Sequence, residues 1–273
     1  MYFITVSEML GTNGEKIAKQ VAKTLNYTFY GEEELFKAAD EIGYLSDIKQ
    51  LDERSPNLLE KFFSERPKIY LDRLQSVIYE VAKKGDAVFF GRGSQFLLHS
   101  FDCALHVFIT GSMEKRIQRV MEEKQVGREI AEKMVHRSDH EKRGFLRFAY
   151  DEDWLNPQLY DLLLNTDKLS IDSAVKMITN AAKSDEIKAC GTDSVKLLGK
   201  LSLHRKVESA LLEAEVMNPH LFVTVEDSDS VRVYGAVYSS EEKEMIGKIV
   251  KGIKGIGKMT NDLVVFKASM TGV

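Results

Sequence analysis

Apolar positions along this chain fall into short runs separated by amphipathic stretches. Residues 2–6 (Tyr-Phe-Ile-Thr-Val) have the β-branched and aromatic composition of a buried strand. A loop with glycines at 11 and 14 follows. Then Ile17, Ala18, Val21, Ala22 and Leu25 share one helical face, opposite Lys16, Lys19, Gln20 and Lys23. Residues 26–31 stop that helix and add a short extended piece, and 32–39 read as helix. Residues 44–66 are polar and less regular. Pro67 opens a helix striped by Leu71, Leu74, Ile78 and Val81, which Gly85 ends. A second buried strand, 87–90, runs into Gly91-Arg92-Gly93 and a short helix near 95–99. A third strand spans 105–110. Ser112 caps a helix carrying Arg116 and Arg119, and another helix runs from about Glu129 to Arg147. Residues 162–164 form a fourth strand ending at Asn165-Thr166, and Ser170 caps a helix through Ala182.

Short apolar strands alternating with helices predict an α/β fold, a parallel sheet with helices on both faces. Ligands in such sheets sit beyond the carboxyl ends of the strands. That rule gathers Gly11 and Gly14, Arg92, Arg116 and Arg119, and Asn165 and Thr166. A glycine loop facing several arginines suits a ligand with more than one phosphate, because a guanidinium offers a fixed fork of donors.

The pattern changes after Ala182. Residues 183–198 have weak periodicity and read as a linker. Leu203, Val207, Ala210, Leu211 and Ala214 make a helical stripe. Leu221, Val223 and Val225 alternate as a strand, Asp227 to Ser230 is turn chemistry, and Val231, Val233, Gly235 and Val237 alternate again. Ser240 caps a helix with Met245, Ile246, Ile249, Val250 and Ile253 inward, and 263–266 is a last strand. Helix, hairpin, helix, strand is a small α+β unit. The expected organisation is a domain over 1–182, a linker over 183–198 and a second domain over 199–267, with the chain's 273 residues enough for two cores.

Net charge of −4 gives no global basic field to draw in nucleic acid. Cys103 and Cys190 are too few for a disulfide framework and read as reduced thiols of a cytoplasmic protein. No signal peptide or membrane-spanning run is visible, and no His or Cys set has zinc spacing, so no metal site is read from the sequence. Trp154 reads as a packing residue.

The first loop maps poorly onto the GxxxxGK[ST] phosphate loop. Asn13 stands where the second Gly belongs, Gly14 where the Lys belongs and Glu15 where the hydroxyl belongs. Alone it reads either as a phosphate cradle or as an ordinary strand–turn–helix connection. Residues 113–147 carry ten Lys/Arg against seven Asp/Glu, which reads either as a solvated helical face or as a cationic lid. Two details favour the lid. Arg116 and Arg119 share a face, and Arg137, Lys142 and Arg143 surround Asp139.

Taken in order, the motifs resemble the cytidylate kinase-like family of P-loop nucleotide kinases. They are Ile4-Thr5-Val6-Ser7 with Gly11-Thr12-Asn13-Gly14 and Ile17-Ala18, then Gly91-Arg92-Gly93, Arg116-Ile117, Asp139-His140-Glu141, Trp154, Pro157, and Tyr160 through Thr166. The resemblance implies ATP as donor, Mg²⁺, and a nucleoside monophosphate acceptor such as CMP. Gly11, Thr12, Asn13 and Gly14 would wrap the donor phosphates, and Arg92 would contact the acceptor phosphate. Arg116, Arg137, Lys142 and Arg143 would form the lid, and Asn165 and Thr166 would lie near the base. The chain departs from the family at Glu8, Asn13, Glu15, Gly31 and Lys142, which leaves open a degenerate member that senses a nucleotide or acts as a scaffold. The C-terminal part resembles the BON domain through Val231 to Val237 and Gly255 to Leu263. That implies attachment to a membrane or small ligand. Lys248, Lys251, Lys254 and Lys258 could face an anionic lipid, or simply form a solvated face, since charge over 200–273 balances at ten against ten.

Overall fold

The computed structural model describes residues 1–45 and 67–266, and these form two compact units. One holds the described part of 1–65 together with 84–191. The other holds 67–83 with 192–266. The polar stretch 46–66 and the last residue of the expected second domain, Lys267, lie outside the described residues.

The first unit is built on five parallel strands in the order β2-β3-β1-β4-β5. They are β1 (Phe3–Glu8), β2 (Thr28–Tyr30), β3 (Ala87–Phe90), β4 (Ala104–Thr110) and β5 (Leu162–Asn165). The central strand pairs Ile4 with Val88 on one side and with Leu105 on the other. Its apolar run is continuous because both sheet faces are covered. On one face Ile17 and Val21 of α1 (Gly14–Leu25) and Ala174 and Ile178 of α7 (Ile171–Ala182) close over Ile4, Val6 and Val107. On the other, Phe3 meets Phe89 and Phe101 edge-on, and Phe108 stacks on Tyr160. Helix α2 (Glu32–Ile42) ends at Gly43 in the left-handed conformation, and α4 (Ser94–Leu97) follows β3. Helices α5 (Met113–Lys124) and α6 (Arg128–Tyr150) pair through Ile117, Val120, Ala131 and Val135.

The cysteines correct the expectation of reduced thiols. Cys103, just ahead of β4, is joined in a disulfide to Cys190, with 5.2 Å between Cα atoms. Two cysteines 87 residues apart give no sequence signal of contact; the fold brings them together, aided by the Cys190 N–H, which donates to Met1 O at 3.0 Å. Closing so long a loop stabilises by about 2–4 kcal/mol. Reduction with a phosphine is therefore expected to lower the melting temperature of the first unit. An unchanged melting curve, with both thiols alkylated, would refute this.

The second unit contains α3 (Pro67–Ala82), α8 (Thr192–Glu213), β6 (Leu221–Asp227), β7 (Ser230–Val237), α9 (Ser240–Lys251) and β8 (Lys258–Val265). Helix α3, which the strand–helix alternation assigned to the first domain, packs along α8 instead. Ser202 Oγ donates to Ser76 O at 3.1 Å, Lys206 meets Glu80 at 2.7 Å and Arg205 meets Asp72 at 3.2 Å. Burial alone would raise the pKa of Glu80, but Lys206, Lys83 and Ser202 hold it down at about 2. Residues 192–198, expected as linker, are the first turns of α8. This helix is covered by α3 on one side and by the second sheet on another, so its buried residues do not fall on one stripe. Strands β6 and β7 pair antiparallel and β7 and β8 parallel, with Leu203, Val207, Ile246 and Val250 of α8 and α9 against Val231, Val233 and Leu263. No helix among the described residues is long and apolar enough to cross a membrane.

Candidate functional site

The loop from β1 to α1 is shaped by three residues. Gly11 has φ +86°, and a Cβ there would lie 2.5 Å from Arg116 O, so the position needs glycine on both counts. Asn13, at φ 62°, takes the left-handed conformation that Asn tolerates better than most side chains. Gly14 opens α1 with no side chain, and a Cβ there would lie 2.6 Å from the Glu8 carboxylate.

Glu8 is the unexpected occupant of this loop. Its Oε2 accepts the Gly14 N–H at 2.8 Å, and Thr12 Oγ1 lies 3.2 Å away. Burial pushes the Glu8 pKa up; Lys142, the Gly14 N–H and the Thr12 hydroxyl oppose that rise. The Lys142 ammonium donates to Glu8 O at 2.7 Å and lies over the Trp154 ring.

The loop forms one wall of a cavity of about 590 Å³. Of the residues singled out in the sequence, Gly11, Asn13, Arg92, Arg137 and Lys142 line it. Arg92 is 5% exposed, ion-paired with Glu32 at 3.3 Å, and lies over the Phe36 ring. Its φ of 59° falls between Gly91 at 70° and Gly93 at 69°, a run of three left-handed residues. Arg137 pairs with Glu141 at 2.7 Å.

The others lie elsewhere. Arg116, expected in the lid, is buried against the loop. It is 2% exposed, forks onto Asp139 at 2.6 and 2.9 Å, and donates from Nε to Leu10 O at 2.8 Å. It braces the loop to α6. Thr12 is fully buried behind the loop, and Gly14 is capped by Glu8. Arg119 donates to Gly11 O at 3.3 Å and to Thr166 Oγ1 at 3.0 Å. Thr166, also buried, lies 3.2 Å from Thr12 O. The Asn165 side chain accepts the Asp167 N–H at 2.8 Å in a local turn. Thr166 therefore acts on the loop's underside, and neither it nor Asn165 lines the cavity. Arg143 is exposed and outside it.

Sequence reasoning missed contributors, among them Lys16 and Gln95. Lys16, set aside as the polar face of α1, lines the cavity with its Nζ 3.4 Å from Asn13 Oδ1. The signal was its spacing three residues past Asn13. Gln95 also lines the cavity, 2% exposed, and neither of its amide atoms completes a hydrogen bond. It lies close to the hydroxyl of Tyr160, which donates to Trp154 O at 2.7 Å and whose pKa burial pushes up to about 12. Trp154 is 1% exposed and packs edge-on to Phe108, and its Nε1 also has no partner.

The basic wall of Lys16, Lys19, Arg92, Arg137 and Lys142 fits a polyphosphate. The loop, with Glu8 seated in it, does not. Nor do the residues fit Mg²⁺ well: Glu15 replaces the hydroxyl, and no metal-holding group of three His, Cys, Asp or Glu occurs among the described residues.

Comparison with known proteins defines the class. The family model of the cytidylate kinase-like family matches residues 3–168, more than half of the chain, and the chain belongs to that family. A BON domain model matches residues 201–266. No curated protein matches the chain. Among solved structures, an uncharacterized protein from Eubacterium ventriosum ATCC 27560 is 22% identical with a TM-score of 0.54, covering 66% of this chain and 97% of its own, and shares the fold. A shikimate kinase from Bacteroides thetaiotaomicron is 13% identical (TM-score 0.43, 67% and 99% covered). A deoxyadenosine kinase from M. mycoides with bound dATP is 14% identical (TM-score 0.36, 67% and 100% covered).

Proposed function

We propose that the N-terminal unit transfers a phosphoryl group from ATP to a nucleoside monophosphate, with CMP the first acceptor to test. The observation that carries this reading is the shared cavity. The glycine loop and Lys16 form one part of its wall, Arg92 another, and Arg137 and Lys142 of α6 a third. Such a reaction needs little covalent chemistry from the protein. It needs two phosphates held in line and positive charge where negative charge spreads. Arg92 supplies a forked donor for the acceptor phosphate. Lys16, Arg137 and Lys142 supply charge on the donor side. Mg²⁺ would travel with the donor nucleotide, and no step is assigned to it. On this reading the unit would work in the cytoplasm, where such substrates are supplied, and the BON domain would contribute contact with a membrane or small ligand.

A second reading, a nucleotide sensor or scaffold without turnover, is favoured by Glu8, which places a carboxylate where a donor phosphate would bind. ADP formation separates the two. The purified chain is expected to form ADP from Mg-ATP only when CMP, UMP, dCMP, AMP or GMP is supplied. No turnover with any of these would sink the kinase reading, and a thermal shift with ATP in the same samples would support the sensor.

A further inference from the structure

We infer that Glu8 is an internal cap on the phosphate loop: its carboxylate holds the place of a ligand's phosphate at the start of α1 and has to leave before one can bind. The inference rests on reading the loop as an anion site and does not depend on turnover. The first N–H groups of a helix have no partner within the helix and carry partial positive charge, which is what makes such loops bind phosphate. Here the Gly14 N–H is already taken, at 2.8 Å, by Glu8 Oε2. The absence of a side chain at 14 admits the carboxylate, since a Cβ there would lie 2.6 Å from that oxygen.

Lys142 favours the ionised carboxylate by its charge, but its ammonium bonds the main chain. That bond, to Glu8 O, is 2.7 Å long, and Glu15 adds a second negative charge nearby. The carboxylate's short hydrogen bond comes from the loop itself, from the Gly14 N–H at 2.8 Å; the Thr12 hydroxyl, 3.2 Å from it, lies closer to Met9 O, at 2.8 Å. A phosphate entering beside an ionised Glu8 would meet a like charge at close range with little water between them, an unfavourable contact. The loop therefore selects between its own side chain and an external anion.

The test uses the full chain and inorganic tripolyphosphate in EDTA, followed by calorimetry and by fluorescence of the chain's single tryptophan, Trp154, which lines the cavity. Glu8→Ala is expected to bind tripolyphosphate about tenfold more tightly than the natural chain, with Glu8→Gln in between. Glu8→Gln keeps an acceptor for the Gly14 N–H, so it guards against a variant that merely fails to fold, and melting curves check both. Affinity unchanged or weaker in both folded variants overturns the cap. A loss of affinity on removing Glu8 that appears only with Mg²⁺ also overturns it, making Glu8 a metal ligand. Tighter tripolyphosphate binding by Glu8→Ala without any ADP formation would uphold the cap and sink the kinase reading alone.

Discussion

Replacing Asp139 with Ala is expected to destabilise the N-terminal unit by about 3–5 kcal/mol, the largest effect on stability we foresee for a single side chain. Arg116 is 2% exposed, and both of its terminal nitrogens donate to Asp139, at 2.9 and 2.6 Å. Removing the carboxylate leaves a buried guanidinium without its counter-charge. Water can reach the site only in part, because the Asp139 side chain is 20% exposed. The loss should appear as a drop in melting temperature on the order of 10 °C for a unit of this size. Asp139→Asn, which keeps one acceptor, should lose less. Replacing both partners, Arg116→Met with Asp139→Leu, should recover part of the loss because no lone charge remains. A melting temperature within a degree of the natural chain for Asp139→Ala would show that the pair is not what holds α6 to the loop.

That pair also shows where sequence reasoning reached and where it stopped. The order of elements was legible because each strand is a short apolar run and each helix of the first unit has an apolar stripe, as α1 does at Ile17, Ala18, Val21 and Ala22. Parallel pairing followed from the crossovers. Arg92, Gly11 and Asn13, which line the cavity, were marked in the sequence because they stand at the carboxyl ends of strands. Arg116 was noticed for the same reason, but its pairing with Asp139 was not. An arginine aimed at a ligand and an arginine aimed at an aspartate 23 residues away look alike in sequence.

The remaining differences are all long-range. The union of Cys103 and Cys190 and the packing of α3 on α8 depend on which surfaces meet, and no local pattern encodes that. The weak periodicity before residue 199 was read as linker because a helix covered on two sides lacks the single apolar face that marks a surface helix. Glu8 was marked as a departure and a charge problem. Its answer, a side chain folded back onto the N–H six residues on, needed coordinates.

Replacing Arg92 with Ala is expected to lower acceptor-dependent kcat/KM by about a hundredfold or more while leaving the fold intact. Its guanidinium is held in the cavity wall by Glu32 at 3.3 Å and by the Phe36 ring at 5.7 Å, so it is oriented before any ligand arrives. Its backbone is held in a left-handed conformation, at φ 59°, that costs a non-glycine residue about 1–2 kcal/mol. The neighbouring Gly93 has to be glycine, because a Cβ there would strike the Tyr150 ring. Arg92→Lys should keep charge but lose the fork, and so fall between Ala and the natural chain, mainly through KM for the acceptor. Arg92→Gly separates backbone from side chain: it relieves the left-handed strain, so its melting temperature should not fall below that of Arg92→Ala, yet it should be as inactive. If Arg92→Ala keeps full acceptor-dependent ADP formation, Arg92 is a structural partner of Glu32 and the acceptor phosphate is bound elsewhere.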